Sequence, residues 1–340
     1  MRSFNLNPEH LMRDVYSYPF PEVRELLSRP ALDPSFTMNT LQVEDAGEML
    51  AQYGFHPTLE LPAHADGTVD LDEVHVPVIE RIRGHVGQTI LGLEEYQNAY
   101  PTHGSSQAMF TLMAEWAAQG KMDSLAVVEG EYDGYAAYAD TLRIPVNRYK
   151  HLGDAAVQAG QVWFISNPGA VAGNWHDSDE FKDFIAAGHE TVLDAAYVGL
   201  TTDGELEVQA PNIRAVLTSP SKIFGVFRYR NTGVTYTREP VGSMYGTKWF
   251  KDVPALFDTL SLYERFGTRE LATKYRPVQE FLCSQLSNVV EAEVAPSDVL
   301  LLGNSQGPVN PKYEDFARAD SYRFGLTKLF EDYERVFAVN

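Results

Sequence analysis

The chain has 340 residues, enough to bury a large core, and its 44% hydrophobic and 22% charged residues are ordinary for a globular protein. A net charge of −20 speaks against a nucleic acid or an anionic membrane as partner. The single cysteine, Cys283, rules out an intrachain disulfide and sits in the apolar run Phe281-Leu282-Cys283, where a packed thiol is expected. The start, Met1-Arg2-Ser3-Phe4-Asn5, lacks the apolar region of a signal peptide, and no apolar run reaches the roughly 20 residues of a membrane span. The expectation is a cytoplasmic protein.

Residues 1–75 are mixed and proline-rich, with helices predicted over 22–28 and 43–53 and a turn-rich connection over 62–71. No catalytic constellation is visible there; His56 and His64 stand alone, as surface or capping residues do. From about residue 76 helix and strand alternate. Residues 77–86 are amphipathic, with Pro77 expected in the first turn. Tyr100–Ser106 reads as a break before a helix over 107–120, whose Met109, Leu112, Met113 and Trp116 fall at helical spacing. Strands are predicted over 124–128, 144–149, 161–166, 191–195 and 214–218, and a helix capped by Asp177 or Ser178 runs to about Ala187 with Gly188 as its stop. Short apolar strands separated by helices imply an α/β domain with a mostly parallel sheet covered on both faces. After Tyr236 the alternation is lost, and helices over 253–266, 270–290 and 328–336 with strands over 299–302 and 322–326 suggest a smaller α+β domain. The division expected is therefore 1–75 as a segment contributing to the small domain and a dimer interface, 76–240 as the large domain and 241–340 as the small one.

In a parallel sheet, ligands collect at the carboxyl ends of the strands. Ser219-Pro220-Ser221-Lys222-Ile223-Phe224-Gly225 follows the apolar run Ala215-Val216-Leu217, with Arg230 eight residues beyond the lysine. A lysine half-buried there would have a lowered pKa, and a neutral amine can condense with a carbonyl. Ser219, Ser221 and Arg230 offer hydroxyls and a planar cation for a phosphate. An aldehyde carrying its own phosphate is pyridoxal 5′-phosphate (PLP). The plain alternative is a lysine in a loop after a strand. Gly104-Ser105-Ser106 opens a helix, so it is either an anion site or an ordinary N-cap. Asp194 ends an apolar strand, where a carboxylate is costly without a cation such as a protonated pyridine nitrogen; Tyr197, three residues on, can reach the same ring. Tyr132 or Tyr135 could stack on a flat heteroaromatic ring. The nine histidines show no close pair at metal-ligand spacing, and His176 beside Trp175 reads as a surface residue.

Taken in order, Gly-Ser-Ser, an aromatic, Asn-Pro, Asp-x-x-Tyr and Ser-x-Ser-Lys with a later arginine resemble the fold-type I PLP enzymes, and within them the class I/II aminotransferases. The resemblance covers about residues 95–235 and extends through Tyr322-Arg323-Phe324-Gly325-Leu326, which looks like that family's arginine strand. It implies a seven-stranded type of large domain with PLP as cofactor. Lys222 would be the Schiff-base lysine, Asp194 the partner of the ring nitrogen, Tyr197 of the phenolic oxygen, and Tyr132 the stacking ring. Gly104, Ser105, Ser106, Ser219, Ser221 and Arg230 would hold the phosphate, and Arg323 the substrate carboxylate. Where the family has a second asparagine the chain has Ala170, so that Asn167 or Asn174 takes its place or the contact is missing. The implied activity is transamination between an L-amino acid and a 2-oxo acid in a homodimer. Elimination or replacement, decarboxylation or oxygen-dependent oxidation are the other PLP reactions, and a binding protein on the same scaffold is the non-enzymatic alternative.

Overall fold

The computed structural model describes residues 4–27, 71–176, 179–226, 233–247, 253–319 and 321–337. The predicted helix over 43–53, the connection over 62–71 apart from Leu71, His56, His64, the caps Asp177 and Ser178, and Arg230 lie outside them.

A seven-stranded sheet forms the centre. Its strands are β1 (Asn98–Thr102), β2 (Ser124–Val128), β3 (Val146–Tyr149), β4 (Gln161–Ser166), β5 (Thr191–Asp194), β6 (Ile213–Leu217) and β7 (Gly233–Thr237). They lie in the order β1-β7-β6-β5-β4-β2-β3, with β7 antiparallel to both neighbours and the rest parallel. Strand β4 is buried along its whole length. Its alternate side chains serve two cores: Val162 and Phe164 pack with Met109, Leu112 and Tyr135 on one face, Trp163 and Ile165 with Phe184 and Tyr236 on the other. Both faces are covered, as a parallel sheet of short apolar strands requires.

Helices α1 (Pro21–Leu27), α2 (Leu71–Val86), α3 (Gly104–Ala118), α4 (Asp133–Leu142) and α5 (Asp179–Ala186) are followed by the single turn α6 (Pro220–Ile223). The chain continues through α7 (Gly242–Thr247), α8 (Val253–Phe266), α9 (Glu270–Val290) and α10 (Thr327–Phe337). A second, antiparallel sheet joins β8 (Ala295–Pro296), β9 (Leu302–Ser305), β10 (Ala317–Arg318) and β11 (Ser321–Gly325) in the order β8-β9-β11-β10. Cys283 is buried against this sheet, where an added Cβ on Gly303 would lie 3.0 Å from its sulfur.

Helices α8 and α9 keep the predicted boundaries. Strands β2 and β4 keep theirs as well, and other elements differ. Helix α2 begins at Leu71, so Pro77 lies inside it rather than in its first turn. The stretch expected to be a break is partly β1, recruited by β7, whose five residues are all buried. The strand expected over 299–302 starts at Leu302 instead, because only from there does the backbone pair with β11; Val299 to Leu301 are buried in the preceding turn. The described N-terminal stretch packs on the C-terminal part: Met12 bridges Gly325, and Phe4 meets Phe281 and Tyr18 meets Phe330 ring to ring.

Candidate active site

A cavity of about 330 Å³ opens at the carboxyl ends of the parallel strands. Lys222, Asp194, Tyr197, Tyr132, Gly104, Ser105, Ser106, Ser219, Ser221 and Arg323, residues spread over more than two hundred positions, all line it.

Lys222 is held by the turn α6. Ser219 caps that turn, its hydroxyl accepting the Ser221 N–H at 3.2 Å and lying 3.0 Å from Ser221 Oγ, and Pro220 takes the first helical position, where no N–H is needed. Burial pulls the Lys222 amine down to about 8; Arg323 acts the same way, and Asp194 and Asp14 oppose them. Its Nζ donates to the carbonyl of Val15. Gly225 ends the stretch with φ +71°, and a Cβ there would sit 1.8 Å from the Tyr18 carbonyl oxygen. Only glycine admits the N-terminal segment so close to the lysine turn.

Asp194 lies at the end of β5 and is buried. Its Oδ1 accepts the Ala196 N–H at 3.1 Å and its Oδ2 the Tyr135 hydroxyl at 3.2 Å. Burial raises its carboxyl to about 6, against the pull of these donors and of Lys222. Among the described residues it forms no ion pair, so a buried carboxylate faces the cavity with room for a cationic partner. Tyr197 lines the same wall, its phenol raised by burial. Tyr132, half-exposed, stands edge-on to Tyr135 with ring centroids 5.4 Å apart. Tyr135 thus turns out to support Asp194, while Tyr132 lines the cavity.

The first turn of α3 supplies Gly104, Ser105 and Ser106. Gly104 has φ +70°, and a Cβ added to it would point 3.5 Å from Ser219 Oγ and 3.9 Å from Ser221 Oγ. Two hydroxyls and a helix N-terminus therefore converge on a cradle that a side chain at 104 would fill. Backbone N–H groups, hydroxyls and the positive helix end suit a phosphate. With Lys222, Asp194 and a flat tyrosine beside it, the residues present fit PLP.

Arg323 of β11 is buried; its Nη1 donates to the Ala170 carbonyl and its Nη2 to the Arg13 carbonyl at 3.0 Å, while Nε has no partner. No ion pair to Asp315 or another carboxylate forms among the described residues. Asn167 does not join the site. It does not line the cavity: its Oδ1 accepts the His176 N–H at 3.0 Å and its Nδ2 faces the His176 carbonyl at 3.4 Å. Asn174 is no substitute, since its Oδ1 accepts the Asp298 N–H at 3.0 Å.

Beside Ala170 stands a residue the sequence did not single out. Glu131 is buried and lines the cavity, with Ser166 Oγ 2.8 and 2.6 Å from its two oxygens and the Tyr132 N–H at 3.1 Å. Burial pushes its carboxyl up to about 7, and the charge of Asp194 pushes the same way. The N-terminal residues Asp14 to Ser17 also line the cavity. They are pinned by Thr327 Oγ1 donating to the Tyr16 carbonyl at 2.7 Å and by the Gly325 N–H donating to the Met12 carbonyl at 2.7 Å. No group of metal-ligating side chains occurs among the described residues.

No family model and no curated protein matches the chain. Solved structures do. The histidinol-phosphate aminotransferase from Clostridium acetobutylicum is similar over 88% of this chain and 95% of its own, with TM-score 0.61 at 10% identity. A Thermus thermophilus aspartate aminotransferase tetra mutant matches 87% of this chain and 92% of its own, with TM-score 0.61 at 14% identity. L-threonine-O-3-phosphate decarboxylase from Porphyromonas gingivalis matches 79% and 96%, with TM-score 0.56 at 14% identity. The fold is that of the fold-type I PLP-dependent enzymes of the class I/II aminotransferase type.

Proposed function

We propose that the chain is a PLP-dependent enzyme acting on an amino acid, and that the reaction is transamination between an L-amino acid and a 2-oxo acid. The observation that carries this is the single cavity shared by Lys222, Asp194 and the Gly104–Ser106 cradle with Ser219 and Ser221. PLP, when bound, supplies an electron sink that acidifies the substrate Cα–H. Ser105, Ser106, Ser219 and Ser221 hold its phosphate, with Arg230 a further candidate from the sequence. Asp194 would keep a proton on the pyridine nitrogen, Tyr197 would donate to the phenolic oxygen, and Tyr132 would stack on the ring. Arg323 orients the substrate by its carboxylate. Lys222 Nζ, with a pKa near 8, removes the proton at the substrate Cα and returns it as general acid. Lys222 Nζ also donates to the Val15 carbonyl, which ties the N-terminal segment to the amine.

Glu131 beside Ala170 favours a second reading. A carboxyl at this wall, beside Ala170, would change the charge near the ring, and elimination or replacement, decarboxylation or oxidation of an amino acid would run on the same residues. One assay separates the two. Under transamination an amino acid converts the bound cofactor to its amine form and an added 2-oxo acid restores the aldehyde form. Turnover with no such restoration favours the second reading. A homodimer follows from the resemblance alone, and an active monomer in sedimentation would refute it. No helix among the described residues is long and apolar enough to cross a membrane.

A further inference from the structure

Arg318 closes β10 opposite Ser321 of β11 and lines the same cavity as Arg323. Its side chain is only 13% exposed, yet its guanidinium donates no hydrogen bond among the described residues. The nearest carboxylates are Asp14, with Oδ1 3.6 Å from Nη2, and Asp133, with Oδ2 3.7 Å from Nη1. Both distances exceed a hydrogen bond, and both acids are largely solvated, at 64% and 82% exposed. Arg323 is different, because backbone carbonyls already fix its fork. None of the Arg318 nitrogens is sealed off from solvent, so the fork stays open beside the cavity, and a planar anion matches such a fork best.

We propose that Arg318 binds a second anionic group at the far end of the substrate, so that the substrate is an amino acid with an acidic side chain. Carboxylate and phosphate share the required chemistry. Asp14 and Asp133 steady the guanidinium from two sides and turn to solvent when a ligand anion takes the fork. The inference rests on reading the cavity as an amino-acid site with Arg323 on the α-carboxylate.

The test is calorimetry on the PLP-loaded protein with three unreactive ligands: pentanoate, glutarate and 4-phosphonobutanoate. At least one dianion should bind about tenfold or more tighter than pentanoate, and the better of the two identifies the acidic group. Arg318→Gln should bring that ratio to within about twofold, by weakening the dianion and leaving pentanoate unchanged. Asp133→Asn removes a competing acid and should keep or raise the ratio, which decides the matter if Arg318→Gln does not fold. Equal binding of all three ligands, an undiminished ratio in Arg318→Gln, or a ratio lost in Asp133→Asn would each overturn the role of Arg318. If pentanoate binds and Arg323→Ala abolishes it, such a failure leaves the amino-acid reading standing. If no carboxylate binds at all, that reading falls, and this inference with it.

Discussion

The floor and the rim of the cavity are built in different ways. The floor comes from chain segments that each begin where a parallel strand ends: Asp194 after β5, Ser219 to Lys222 after β6, and Gly104 to Ser106 at the start of α3. Each is a local arrangement set by a few neighbouring residues. The rim is assembled over long separations. Glu131 meets Ser166 across 35 positions, Arg323 meets Ala170 across 153, and Lys222 meets Val15 across 207. The floor residues are those that carry the resemblance to the PLP enzymes, whereas the rim departs from it at Ala170. In the proposed reading the floor carries the cofactor chemistry, and the rim selects the substrate and tunes the reaction.

That division breaks most visibly if floor variants leave turnover intact. Lys222→Ala should lower turnover about 10²–10⁴-fold, the usual share of a general acid–base, in steady-state assays with added PLP. A near-wild-type rate would move the chemistry to the rim. Asp194→Asn should retain PLP by absorbance yet lose turnover on the order of 10²–10³-fold, because an amide cannot hold the ring nitrogen protonated. If it matches wild type, Asp194 only buttresses Tyr135.

Rim variants should alter binding and stability. Arg323→Ala should cost roughly 2–5 kcal/mol in binding of an α-amino acid, and little for the amine lacking the carboxylate. Equal losses for both ligands would make Arg323 a brace between the Ala170 and Arg13 carbonyls.

Glu131→Gln sharpens the comparison through pH. The native carboxyl titrates near 7 and the unfolded one near 4.5, so between these values the native state binds more protons. Stability from this group is fully present below about pH 4.5, falls as pH rises, and levels off above about 7, a loss of about 3 kcal/mol. Denaturant titrations across this window should show the variant gaining on wild type by that amount as pH rises. Parallel curves would mean that Glu131 is ionised and satisfied as it stands.

The difference between floor and rim also explains what could be read in the chain. Asp194 and Lys222 follow apolar strands, so their burial and its cost were legible from adjacent residues. Strands β2 to β6 were equally visible, whereas helix α4 between β2 and β3 was not predicted, and β1 forms only by pairing with β7. Glu131 lies in Glu129-Gly130-Glu131-Tyr132-Asp133, which reads as a solvated acidic loop until Ser166 and β4 enclose it. Gly225 was visible as a glycine, yet its reason, the Tyr18 carbonyl, comes from the other end of the chain. Asn167 was a candidate by motif, and only the His176 backbone that engages its amide shows why it stands outside the site.

The central claim is that Lys222 is the amine that holds the cofactor. The direct measurement is to load the protein with PLP, record its absorption, reduce with borohydride and map the modified peptide. The predicted result is a visible band that is lost on reduction, with a single pyridoxyl label on Lys222. A protein that gains no band, or a label scattered over exposed lysines such as Lys121 and Lys274, would contradict it.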